Sequence, residues 1–486
     1  MKHRILTAIL AASMLASLAA CGGSPATADT TASESTDTSA AETAEADGIE
    51  TVDMEGFTFN LLHNDPNRMT WCYVELNAES ENGDTLNDAT FRRNAAIEER
   101  FNCNLNFAMV RNTADVVAST VMSGANEYDI LMGTGTVVLS NLDYIADFSH
   151  IPHLNLDEVW WNPHATGMFR IAGKQLAAAG NFTLSYVSGS SCYLFNKPLY
   201  ESLAIEENLY ALAADGKWTV DKLLEIGIKG AADLNGDTKL NAADDRFGIS
   251  SYTPASFYNS LIIGAGYSYM RSDSDGVPYL EMAQNEAMVD FLQMLLDKTT
   301  VGDGLFGYTA SKYYNAESTL TIPNNKILFT EMFLNRVSTL RDSEVDFGIL
   351  PAPKLDAAQD KYYSRASVGE LSFLPRDYSE DRLDYVGRIL EAMTYLSQET
   401  IIPAYKETLV KTKLARDEES ADMLDFVFEG VTFDMGQIAY ETDVMGYLME
   451  KVYMPGRDAL ASTIEIIKKA VDNKVKNLVE KVELVP

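Results

Sequence analysis

The sequence predicts an α/β fold built on largely parallel sheets, and three observations carry that reading. Strand-length apolar and aromatic runs at 57–62, 105–111 and 128–132 alternate with helical segments, the pattern that lays successive strands side by side beneath crossover helices. The 486 residues are 46% hydrophobic and 10% aromatic, which supplies ample core and suggests two or three domains. After residue 20 there is no apolar run of about 18 residues, so that part contains no membrane-spanning helix.

In chain order, Met1-Lys2-His3-Arg4 leads into an apolar run from Ile5 to Leu18, broken only by Thr7, Ser13 and Ser17. A basic start, a short apolar core and small residues before a cut site predict a secretory signal peptide over 1–20. The following Leu18-Ala19-Ala20-Cys21-Gly22 resembles the lipobox of bacterial lipoproteins. That resemblance implies lipidation of Cys21 and attachment to the outer face of the cytoplasmic membrane, where two acyl chains hold firmly and one only marginally. Residues 22–51 are mostly Ala, Thr, Ser and acids, so 21–52 is expected to be a lipidated N-terminus followed by a disordered linker. The full chain carries 38 basic and 71 acidic residues, a formal charge of −33. Such a surface repels polyanions and excludes nucleic acid as a partner.

Ordered structure is expected from Phe57-Thr58-Phe59-Asn60-Leu61-Leu62, with a polar break at His63-Asn64-Asp65-Pro66-Asn67. A helix follows over about 88–101, capped by Asn87, with Phe91, Ile97 and Phe101 near one face. The third strand, 128–132, runs into Gly133-Thr134-Gly135-Thr136. Open α/β sheets bind ligands at such strand ends, although one Gly-x-Gly is a weak phosphate signal. Trp218 before Thr219 reads as an apolar residue folded back on a capped helix. Phe195-Asn196-Lys197-Pro198 reads as a strand ending at a Pro-started helix. Trp160 and Trp161, if extended, face opposite sides.

The segments 128–148 and 151–163, Tyr193 to Tyr200, Gly216 to Leu223 and Phe347-Gly348-Ile349-Leu350-Pro351-Ala352-Pro353-Lys354 together resemble the bacterial extracellular solute-binding proteins of the carbohydrate-uptake type. The resemblance runs over roughly 55–460. It implies a two-lobed periplasmic-binding-protein-like fold (type II), each lobe a sheet flanked by helices, closing on a solute and delivering it to an ABC permease. Lobe 1 is then expected over 53–183 plus 373–410, and lobe 2 over 184–372 plus 411–486. The lobe crossings implied are 181–187 and 367–373, with a third near 408–413. By the same analogy Asn64, Asp65, Trp71, Thr134, Tyr186, Tyr258, Glu331 and Glu370 are the expected ligand contacts. Aromatic rings stack on the apolar face of a sugar, and carboxylates and amides hold its hydroxyls.

The clearest chemical motif is the twelve-residue loop at 233–244. It places Asp233, Asn235, Asp237, Asn241 and Asp244 at positions 1, 3, 5, 9 and 12, with the Lys239 carbonyl at position 7. This is calcium-loop spacing. It departs from the EF-hand at Thr238, where Gly is usual, and at Asp244, where Glu is usual; the pattern resembles dockerin calcium loops. Calcium is therefore expected as a structural staple.

Catalysis finds no motif: the five histidines form no His-x-x-x-His or His-Glu-x-x-His pair, and no Gly-x-Ser-x-Gly occurs. After Cys21 only Cys72, Cys103 and Cys192 remain, an odd number without metal-ligand spacing. Helical stripes run through Val386, Ile389, Leu390, Met393 and Leu396, and again through Ile464, Ile467, Val471, Val475, Leu478 and Val482. The function expected is a monomeric, lipid-anchored, non-enzymatic solute receptor with a sugar as ligand. A calcium-dependent surface adhesion or scaffold module is the alternative.

Overall fold

The computed structural model describes residues 46–67, 76–308, 321–337, 340, 343–366, 369–409, 418–454 and 460–486. The expected signal peptide, Cys21, Trp71, Cys72, positions 367–368 and the 410–413 part of the third crossing lie outside them.

Four strands come first: β1 (Phe57–Asn64), β2 (Cys103–Val110), β3 (Ile130–Gly133) and β4 (Ile145–Ala146). The two large sheets also use β5 (Ser191–Asn196), β6 (Phe247–Ser251), β7 (Phe306–Tyr308), β8 (Ile327–Phe333), β9 (Phe347–Leu350) and β10 (Leu371–Pro375), while shorter strands pair separately in two-stranded sheets. The numbered strands form two five-stranded sheets, ordered β2-β1-β3-β10-β4 and β7-β6-β8-β5-β9. The strands read from alternation, β1 to β3, are parallel to one another, as are β6 to β8. β10 and β5 run against their neighbours, so both sheets are mixed. β10 returns to the first sheet only after the whole second sheet has been laid down.

Alternation in β1 sends Phe59 and Leu61 into one core and Leu62 into the other, as a sheet buried on both faces requires. The first core adds Ile97 and Phe101 of helix α1 (Thr85–Phe101), and Val386, Ile389, Leu390 and Met393 of the long helix α5 (Leu383–Leu409). Each fully buried large apolar side chain contributes roughly 1.5–3 kcal/mol. The stripe read at 386–396 is therefore a core face, as is the one on α6 (Leu460–Val482), all six members of which are buried. Between α1 and α5 lie α2 (Gly135–Ser140), α3 (Val220–Gly227) and α4 (Pro254–Gly264).

Several boundaries differ from expectation. Helix α1 starts earlier, capped by Asp84, whose carboxylate accepts the Leu86 and Asn87 amides, and not by Asn87. β1 continues through His63 and Asn64, because both are buried and pair with Met109 and Val110 of β2. The last residues of the expected linker are docked: Asp47 is ion-paired with Arg100, Ile49 is buried, and Arg388 donates to the Glu50 carbonyl at 3.0 Å. Along α5 the first core receives side chains up to Leu396, while Ile401, Ala404, Tyr405 and Leu409 join the larger core, which also takes Leu62, Leu131 and Phe373 of the first sheet.

Candidate functional site between the two sheets

The chain passes from the first sheet to the second before β5, and back again ahead of β10. These passages are tied together at both ends, Ala178 with Ser372 and Ser190 with Ala366, in antiparallel bridges. Within this tie Glu370 donates its backbone N–H to Ser185 Oγ at 3.0 Å and accepts from the side-chain amide of Asn64. Asn64 Oδ1 in turn accepts the Thr113 amide at 2.7 Å. Asn64 is thus delivered by the end of β1, and Glu370 by the return passage. Next to Ser185, Tyr186 is buried with its ring 5.7 Å from Phe433. A Cβ on Gly369 would lie 2.7 Å from the Phe433 ring and 3.2 Å from Tyr186, so only glycine fits there.

Glu331 occupies the corresponding place at the end of β8, opposite Tyr193 of β5. One carboxylate oxygen accepts from Ser251 Oγ at 2.8 Å; the other faces Arg365 Nη2 at 3.7 Å. Arg365 lies five residues before Glu370 on the same return passage. Its guanidinium stands 4.9 Å over the Phe333 ring and donates to Gln437 Oε1 at 3.0 Å. Burial pushes the Glu331 carboxyl up, opposed by the adjacent Arg365 charge; burial pushes Arg365 down, opposed by Glu331. One short passage therefore carries a cation into the second sheet's end and an anion into the first's.

Asn64, Glu370 and Tyr186 are brought together, and Glu331 joins them through Arg365. Asp65 holds its turn, accepting the Asn67 amide at 2.9 Å. Thr134 caps α2 through the Val137 amide, while Thr136 Oγ1 donates to the Ile438 carbonyl at 3.3 Å. Tyr258 lies elsewhere, buried in α4 with its hydroxyl 2.8 Å from Thr299 Oγ1 and its ring stacked 4.7 Å from Tyr453. Sequence reasoning missed Arg365 and Gln437. The only signal for Arg365 was a lone cation in the small-residue run Ser364-Arg365-Ala366.

The 233–244 loop closes differently from expectation. Asp233 accepts the amides of Gly236 and Thr238, and Asp237 that of Lys239. Thr238 adopts φ +67°, the left-handed conformation for which calcium loops use Gly at this position. The acid that turns back into the loop is the buried Asp245, accepting from Leu234 and Asn241 at 2.9 Å each, while Asp244 stays exposed. Those amides hold the Asp245 carboxyl below the usual range. No three His, Cys, Asp or Glu side chains are grouped as metal ligands among the described residues. Cys103 and Cys192 are buried free thiols, and burial pushes Cys103 up to about 12, which keeps it inert.

A scan against protein-family models finds no match, and no curated protein matches the chain. Solved structures do resemble it. UspC of M. tuberculosis aligns at TM-score 0.55 and 12% identity, over 86% of this chain and 100% of that one. The sugar-binding protein MalE of Xanthomonas citri aligns at 0.54 and 12%, over 86% and 98%. The GacH receptor of Streptomyces glaucescens GLA.O, solved unliganded and with acarbose, aligns at 0.52 and 12%, over 87% and 99%. With its two mixed sheets, tied passages and near-complete coverage of these structures, the chain has the two-lobed α/β fold of MalE-type binding proteins.

Proposed function

We propose that the protein is a lipid-anchored, non-enzymatic receptor that binds a sugar or oligosaccharide by lobe closure and delivers it to an ABC permease. The observation that supports this reading is the pair of tied passages, beside which Asn64 donates to Glu370 and Tyr186 follows the Ser185 that accepts the Glu370 amide. MalE of Xanthomonas citri is a sugar-binding protein and GacH is solved with acarbose, which favours a sugar here. Anchoring rests on Cys21 and its resemblance to a lipobox. A ligand that binds only the folded state raises stability by about 2.7 kcal/mol at a hundred times its Kd. A thermal-shift screen against mono- and oligosaccharides should therefore show a concentration-dependent rise in Tm with no sugar consumed. Turnover of a bound oligosaccharide at a catalytic rate would sink the receptor reading.

We also propose that the 233–244 loop takes calcium in a structural role, through Asp233, Asn235, Asp237, Asn241 and the Lys239 carbonyl. The left-handed Thr238 and the Asp245 closure support this as a loop variant one residue longer than the EF-hand. Added calcium should raise Tm and EGTA reverse it, both effects vanishing in Asp233→Ala. An unmoved Tm means the loop is held by its own amide bonds alone.

A further inference from the structure

Four residues around the Glu331–Arg365 contact carry buried polar atoms that meet no hydrogen-bond partner among the described residues: Glu331 Oε1, Arg365 Nε and Nη2, Gln437 Nε2 and Ser191 Oγ. All four are more than nine-tenths buried, with exposures of 2%, 6%, 6% and 0%. They share one neighbourhood. Ser191 pairs with Phe333 in the β5–β8 register, and the Arg365 guanidinium stands over that Phe333 ring. Two residues along each strand, on the same face, Tyr193 pairs with Glu331. Leaving such atoms unpaired costs about 1–3 kcal/mol each, so each calls for a partner beyond the described side chains.

The donor set says what that partner is. Arg365 and Gln437 offer N–H groups, Glu331 offers an acceptor, and Ser191 offers either role. An anion here would face the Glu331 carboxylate and a cation the Arg365 guanidinium. A neutral oxygen that donates and accepts at once satisfies both. At 3.7 Å, Arg365 Nη2 and Glu331 Oε1 are too far apart for a direct hydrogen bond, whereas an oxygen beside them can bond to both.

We propose that Arg365, Glu331, Gln437 and Ser191 form an oxygen-binding subsite at the second lobe's end of the return passage. Water fills it in the free protein. On the sugar reading above, a hydroxyl of the solute replaces that water in the loaded protein. Arg365 and Gln437 then position the solute, adding to the contacts expected from Asn64 and Glu370.

A high-resolution crystal structure of the free protein tests the first half. The expected result is an ordered oxygen within hydrogen-bond reach of both Arg365 and Glu331. A guanidinium closed directly onto the carboxylate, with no oxygen between, overturns the subsite. Crystals grown with maltotriose test the second half: a sugar hydroxyl at that point supports it, and bound maltotriose with the water retained reduces the subsite to a hydration site. Crystals that take up no maltotriose count against the sugar reading for that probe, and the free-protein arm still decides the subsite. Because Arg365→Met strands the Glu331 carboxylate, the variant to use is Gln437→Met, which keeps the charge and removes both the Nε2 donor and the Oε1 acceptor of Arg365 Nη1; the Tm of the free variant reads the second loss separately. Gln437→Met should weaken maltotriose binding about tenfold, the equivalent of one hydrogen bond; an unchanged Kd contradicts the positioning role.

Discussion

At the scale of single residues, the acids that matter are the ones burial has made expensive. Asp434 lies within the second lobe with one oxygen accepting the amides of Tyr269 at 2.7 Å and Met270 at 3.3 Å. Burial nevertheless pushes its carboxyl up to about 7, against those amides and the ones at Gly436 and Gln437. Between its ordinary value near 3.8 and about 7, the folded chain holds a proton that the unfolded chain has lost. This group's contribution to stability is therefore full below that window and is lost as pH rises through about 7. Comparing Tm of the wild type and Asp434→Asn from pH 5 to pH 8 should show the wild type falling relative to the variant; parallel profiles would refute it. Glu391 is a second such acid, satisfied by the indoles of Trp160 at 2.8 Å and Trp161 at 2.6 Å and by the Asn155 amide. The two tryptophans were expected to face opposite ways. They converge on one carboxylate because 159–161 is a 3-10 turn and not extended chain. Periodicity cannot show that, and neither Glu391 nor its donors stand out in a chain with 71 acids.

At the scale of elements, what was legible was what repeats. The stripes of α5 and α6 follow from apolar spacing, and the cap of α3 from Thr219, which accepts the Lys222 amide. The neighbouring Trp218 is buried, donating its indole N–H to the Pro351 carbonyl at 2.9 Å. Less legible was anything set by contacts distant in sequence. β1 outruns its polar break because β2 pairs with it, and the two ends of α5 are received by two different cores. Asn64 and Glu370, 306 positions apart, meet only through the topology; family resemblance selected them, and spacing does not. The return passage permits a sharp test. Gly369→Val drives a branched side chain into Phe433 and Tyr186, at a cost of about 1–3 kcal/mol for overpacking. Urea unfolding should register that loss, while Gly167→Val, at a glycine with nothing within 4 Å and no left-handed φ, should lose little. Equal losses would remove the Phe433 and Tyr186 contact as the cause.

At the scale of the whole molecule, the formal charge of −33 opposes self-association, and the proposed tether at Cys21 would keep such a body beside a membrane. On the proposed function, that anchor would raise the receptor's local concentration at a permease without touching the solute site. Cys21→Ala should therefore slow solute uptake by cells while leaving the Kd of the purified protein unchanged. Uptake that keeps its rate with the protein released to the medium would remove the anchor from the mechanism. The tie between the two passages has a mechanical consequence as well. Ala178 is bound to Ser372 and Ser190 to Ala366, so the two passages are coupled, and the proposed lobe closure would engage both together. A pair of dyes, one on each lobe, would then convert occupancy into one calibrated colour ratio, making the chain a natural frame for an optical solute sensor.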